Sequence, residues 1–122
     1  MIPAAVMVAG ALGAVVRFVV DGAVRARWPS VTPWGTFVIN VTGSALLGVL
    51  AGLVIFHAAP SELQAIVGTG FCGGYTTFST ASLEAVRLAQ NGHRVRAGVY
   101  AVGTLIASVA ACVAGMGLAC LS

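Results

Sequence analysis

The 122-residue sequence is 59% hydrophobic and 7% charged, with a mean hydropathy of +1.02 and a net charge of +3. Soluble domains carry about 25% charged residues, and a chain this small has too little polar surface to dress a water-facing exterior. An ordinary soluble domain is excluded, and the excess arginine sits in two short loops, which is no footprint for nucleic acid. The composition is that of an integral membrane protein. Cys72, Cys112 and Cys120 make no CxxC pair and lie in apolar context, as small core residues do.

Segment one, about residues 2–20, is long enough to span at 1.5 Å per residue. Its first basic residue, Arg17, follows the apolar run, the reverse of a signal peptide, so the segment is expected to be retained. Gly10, Gly13 and Ala14 give it a small face for close packing. Two readings of Arg17 stand. It snorkels to the interface and pairs with Asp21 at i+4, or it faces a water-filled vestibule that draws anions. Loop one, 22–33, holds Arg25 and Arg27, and Trp28 and Trp34 look like interfacial anchors.

Segment two, about 34–56, carries Thr36, Asn40 and Ser44 at i, i+4 and i+8, one polar stripe on an apolar helix. Asn40 at mid-span serves as interhelical glue or offers its amide N–H to an ion. His57 in loop two reads as an interfacial polar residue with no second metal ligand near it.

Segment three, about 63–90, contains Gly68-Thr-Gly-Phe-Cys-Gly-Gly-Tyr-Thr-Thr-Phe-Ser-Thr80, the poorest helix-forming run in the chain. Its four glycines each cost about 1 kcal/mol of helix propensity, and Thr76, Thr77, Ser79 and Thr80 compete for backbone partners. A break is predicted, with the first half-helix ending near Gly70. Broken backbone at membrane depth survives only where protein or a polar cavity satisfies it, so this is the expected functional centre. Glu84 and Arg87 are expected to pair at i, i+3. Segment four, about 97–121, repeats the stripe with Tyr100, Thr104 and Ser108.

Uncharged donors along two helices suit a desolvating anion, and Phe78 can add its electropositive ring edge. Half-helix C-termini and unwound carbonyls suit a small hard cation such as Na⁺. Mid-span carboxylates are missing, which leaves a proton-coupled exporter without its handle. A Ser/His/Asp set, HExxH and a phosphate loop are missing too, so no enzyme is indicated.

Gly-Gly-Tyr-Thr-Thr-Phe-Ser-Thr over 73–80 with Glu84 following, Gly35-Thr-Phe-Val-Ile-Asn40-Val-Thr-Gly-Ser44, and Gly10…Gly13-Ala-Val-Val-Arg17 together resemble the signature of the Fluc (CrcB) fluoride channels. The resemblance implies an all-α integral protein of the cell membrane, a single domain of four transmembrane helices with the third broken at mid-membrane. It implies an inverted antiparallel dimer with two pathways for fluoride. Asn40, Phe78, Tyr100, Thr104 and Ser108 would line the path with Thr77 and Ser79, and Arg17 would sit at a vestibule. A structural Na⁺, not transported, would be held by backbone carbonyls of Gly73 and Thr76. One position departs: the family's second pore phenylalanine is Ala81 here.

With four spans, one side carries Arg25, Arg27, Arg87, Arg94 and Arg96 and the other no Lys or Arg. The positive-inside rule then places both termini outside. So strong a bias predicts one orientation, hence pairing with an oppositely oriented paralogue rather than with itself. A non-conducting partner subunit of a heterodimeric channel and a small proton-coupled exporter are the alternatives. A reporter fused to the C-terminus should appear on the external side alone; equal populations on both sides would remove the argument for a distinct partner.

Overall fold

A computed structural model describes residues 1–30 and 32–121, all of whose regular elements are helical. Helix α1 (Ile2–Arg27) opens with proline in its first turn, where the missing N–H costs nothing. It runs on past Val20, so Arg25 and Arg27 stand on helix, not in a loop. Helix α2 (Trp34–His57) ends where Ala58 turns left-handed at φ 52°, one residue short of the Ala59-Pro60 pair that bars further helix. His57 is tied to the Ala119 carbonyl, joining the ends of the second and last helices.

The third segment is composite. A short α3 (Ser61–Leu63) passes into a π-helix over Gln64–Cys72, then α4 (Gly73–Tyr75), two non-helical residues, and α5 (Phe78–Gln90). A last long helix, α6 (Arg94–Leu121), completes the chain. Helices α1, α2 and α6 are each long and apolar enough to cross a membrane.

The break therefore falls at Thr76 and Thr77, not near Gly70. Thr76 (φ −79°, ψ 158°) and Thr77 (φ −151°, ψ 118°) are extended, while the glycine run ahead of them is helical throughout. Packing overrides propensity here. A Cβ on Gly13 would strike the Phe71 carbonyl, and one on Gly74 would strike the Gly10 carbonyl. Those glycines let two backbones touch, which is how apolar helices associate where no hydrophobic force drives them.

The same device joins α2 to α6, the most extensive helix pair in the fold. Gly48 faces the Cys112 carbonyl and Gly115 the Ala45 carbonyl, with no room for a side chain on either. By contrast, much of the outer surface is bare leucine and valine, among them Val8, Leu12, Leu105 and Val109, as expected for a lipid-facing exterior.

Gly48→Val should force the α2–α6 backbones apart and cost on the order of 1–3 kcal/mol, read as a loss of thermal stability in detergent. Gly103→Ala, whose new methyl meets only open space, should leave the melting point unchanged; equal losses in both would mean that the contact is not limiting.

Candidate functional site

The break is held by a side chain acting as a strand partner. Asn40 Nδ2 donates to the Thr77 carbonyl at 2.9 Å, and the Thr77 N–H donates to Asn40 Oδ1 at 2.8 Å. Both backbone groups of an extended, buried residue are thereby satisfied, which an apolar side chain at position 40 could not do. The pattern also fixes the amide orientation, since only Nδ2 can donate and only Oδ1 accept. Of the two uses the sequence offers for Asn40, interhelical glue and an N–H for an ion, these bonds are the first; one N–H goes to Thr77, and the amide has a second.

Thr77 then restarts the chain. Its Oγ1 accepts from the Thr80 N–H at 3.1 Å, capping α5. Thr76 Oγ1 bonds back to the Cys72 carbonyl at 2.7 Å, beside the Thr76 N–H at 2.8 Å. In a continuous helix the Thr77 N–H would serve the Gly73 carbonyl; drawn to Asn40, it releases that carbonyl from the ladder. Tyr75, stacked on Phe71, reaches Thr42 at 2.9 Å and ties the half-helix end to α2.

Two cavities flank this bridge. A groove of about 350 Å³ is lined by Asn40, Ser44, Thr76, Thr77, Phe78, Ala81, Tyr100, Thr104 and Ser108, among others, and no carboxylate. It brings together every pathway residue expected from the sequence except Ser79, which is exposed and sits 3.4 Å from Thr77 Oγ1. Tyr100 and Thr104 are buried at 5% and 7% exposure, yet their hydroxyls and that of Ser108 have no hydrogen-bond partner among the described residues. A buried polar atom left this way costs about 1–3 kcal/mol. Three in a row on one helix face is an arrangement built for something the chain itself does not supply.

The other cavity, about 290 Å³, holds Arg17, Asp21, Thr36, Thr77 and Thr80. Thr77 lines both, so it stands as the partition between a guanidinium-bearing cleft and the hydroxyl stripe. Arg17 does not pair with Asp21; Asp21 Oδ2 takes Arg25 Nε at 3.0 Å. Nor does Glu84 pair with Arg87. It accepts from Arg25 at 3.0 Å and from Thr36 Oγ1 at 2.6 Å, its side chain only 13% exposed. Thr36, expected to join the polar stripe of α2, is instead buried at 2% and committed to Glu84. Nothing local could have shown the Arg25–Glu84 pair, because its partners lie 59 residues apart.

Phe78 is 87% exposed at the groove's rim, and Gly73 is exposed with nothing within 4 Å of where a Cβ would be. Ala81 lines the same groove and packs towards Leu88, Ala97 and Tyr100.

Residues 4–116 match the family model described as CrcB-like protein, Camphor Resistance (CrcB). Among curated relatives, Fluoride-specific ion channel FluC 1 of Leifsonia xyli subsp. xyli is 54% identical, over 93% of this chain and 82% of its own length. Fluoride-specific ion channel FluC 2 of Cutibacterium acnes is 45% identical, over 93% of each. Fluoride-specific ion channel FluC 1 of Streptomyces avermitilis is 47% identical, over 93% of this chain and 86% of its own.

Asn40→Ala leaves both Thr77 backbone groups unpaired and should loosen the break. Hydrogen exchange across residues 73–80 is expected to quicken by about tenfold or more, with the middle of α6 unchanged; unaltered exchange at 73–80 would show that the bridge does not hold the break.

Proposed function

The chain belongs to the CrcB-like family, and on that premise we propose that it is a subunit of a fluoride-selective channel that lets fluoride leave the cell passively, relieving its toxicity. Its relatives are named as ion channels, not enzymes, and its long apolar helices make it a multi-pass protein of the cell membrane. The observation that carries the reading is the row of unpartnered hydroxyls at Tyr100, Thr104 and Ser108 in a groove without a carboxylate. A small anion that sheds water needs donors; Thr104 and Ser108 have no competing use, while the Tyr100 phenol also faces Thr36.

The path begins at the Arg17 cleft, where a guanidinium raises the local anion concentration. It passes the partition at Thr77, with the remaining N–H of Asn40 beside it, and continues along Thr104 and Ser108. The N-terminus of α5, with its orphan N–H groups, adds positive potential at the same point. Phe78 lies at the rim, where its ring edge serves the passing anion. Ser79 contributes from outside the groove.

Four spans, with the composite third segment as one of them, and an inverted antiparallel dimer complete the proposal. The exposed Phe78 and the bare Gly73 support a second subunit over this face. The arginine bias supports an oppositely oriented paralogue as that subunit, with a second copy of this chain as the other reading. A structural Na⁺ at the dimer centre fits the donors present. The Gly73 carbonyl, freed by the Thr77–Asn40 bond, and the Thr76 carbonyl at the end of the half-helix are hard oxygen ligands facing no chain partner that a helix would have given them. The ion would fasten two breaks together without moving.

Liposomes holding this chain, alone and reconstituted together with the oppositely oriented paralogue, in Na⁺ buffer with chloride as control, measure the proposal directly. Fluoride efflux should exceed chloride efflux, and Thr104→Val or Ser108→Ala should each lower it about tenfold. Chloride passing as readily as fluoride, or flux indifferent to both substitutions, would sink the assignment.

A further inference from the structure

One end of the molecule carries a further cavity, apart from the two at the break. It measures about 400 Å³ and lies between residues 28–30 and 32–35 and the end of α5, with Arg25, Glu84, Arg87 and Asn91 in its wall. An apolar groove of about 590 Å³ adjoins it, lined by Arg27, Trp34, Phe37 and Val38. Trp28, Pro29, Ser30 and Trp34 line both, so the two are halves of one cleft, polar on one side and apolar on the other.

Charge decides what such a cleft takes. The sequence holds three carboxylates. Glu62 belongs to α3, at the opposite end, where α2 finishes. Asp21 and Glu84 are both bound by Arg25. Arg27 and Arg87 are left without an ion pair among the described residues, one in each half of the cleft, and together they outnumber the one negative charge that two carboxylates on a single arginine leave over. Arg27 lies over the Trp28 ring at 5.9 Å, and Phe37 meets Trp34 edge-on at 5.6 Å. Both tryptophans are exposed, at 58% and 44%, with ring edges suited to a headgroup layer.

We propose that this cleft binds one anionic phospholipid, its headgroup phosphate held by Arg87 with the Asn91 amide and an acyl chain lying along Trp34 and Phe37. A free anion would use the polar half and leave the apolar half bare; a zwitterionic lipid would leave the guanidinium excess unmatched. Only an anionic amphiphile satisfies both halves. The site is separate from the hydroxyl groove and holds whatever the fate of the fluoride reading.

The two tryptophans are the only ones in the chain, and both line the cleft, so they report on its occupant. The full chain is reconstituted in phosphatidylcholine vesicles with an equal small fraction of brominated phosphatidylglycerol or brominated phosphatidylcholine, and tryptophan quenching is followed. Brominated phosphatidylglycerol should quench at several-fold lower mole fraction. Arg87→Gln should weaken that preference by about fivefold, the worth of one arginine near a charged headgroup. Arg94→Gln with Arg96→Gln, which removes twice the charge outside the cleft, should change it little. Equal quenching by the two lipids would overturn the site, as would a loss in the Arg94/Arg96 variant matching that in Arg87→Gln, since the attraction would then be diffuse.

Discussion

The bridge between Asn40 and Thr77 is the constraint on which the rest of this molecule depends. A helix broken inside a membrane exposes backbone groups that lipid cannot satisfy. Here one side chain from α2 meets both groups of the extended residue, and Thr77's own hydroxyl caps the helix that follows. Because the bridge draws on α2, the break cannot exist without the packing that brings α2 alongside. That packing in turn needs Gly43, where a side chain would strike Thr76 and Tyr75. Backbone geometry, helix packing and the candidate path are thus one cooperative unit.

Electrostatics at the arginine-rich end obey a similar economy. Two carboxylates from different helices converge on Arg25, and Thr36 adds a hydrogen bond to one of them. The pairs are partly solvent-exposed, so their worth lies less in stability than in fixing where charge sits. With both acids committed to one arginine, the others at this end remain unmatched. Arg17 likewise makes no ion pair with Asp21, although both line the same cleft.

Much of this was legible in the residues. The three-member stripe on α6 reads directly from its spacing, and the groove gathers it with Asn40 and Phe78. The position of the break did not read correctly, because glycine propensity pointed to residues near 70. Those glycines are helical since they are packing surfaces against α1, and tertiary contact outweighs about 1 kcal/mol per residue of propensity. The ion pairs misread for a different reason. Spacing rules find i+3 and i+4 partners, and Glu84 instead found Arg25 on a distant helix. Asn40 shows both sides of the matter: its depth and period left it between interhelical glue and an ion contact, and its commitment to Thr77 needs a partner that only the fold brings near.

What the groove lacks is as instructive as what it holds. Its hydroxyl wall on α6 is buried and unpartnered, while its rim carries an exposed phenylalanine, and Gly73 on the half-helix before the break is exposed too. An apolar ring at 87% exposure is favourable against lipid, as the bare leucines and valines of the exterior are, whereas a glycine facing open space gains nothing from its missing Cβ. The glycine makes sense where another backbone approaches closely. Ala81 leaves room of another kind: it lines the groove and packs against the cluster of Leu88, Ala97 and Tyr100, so that only a methyl shares the groove wall with the buried hydroxyls of α6.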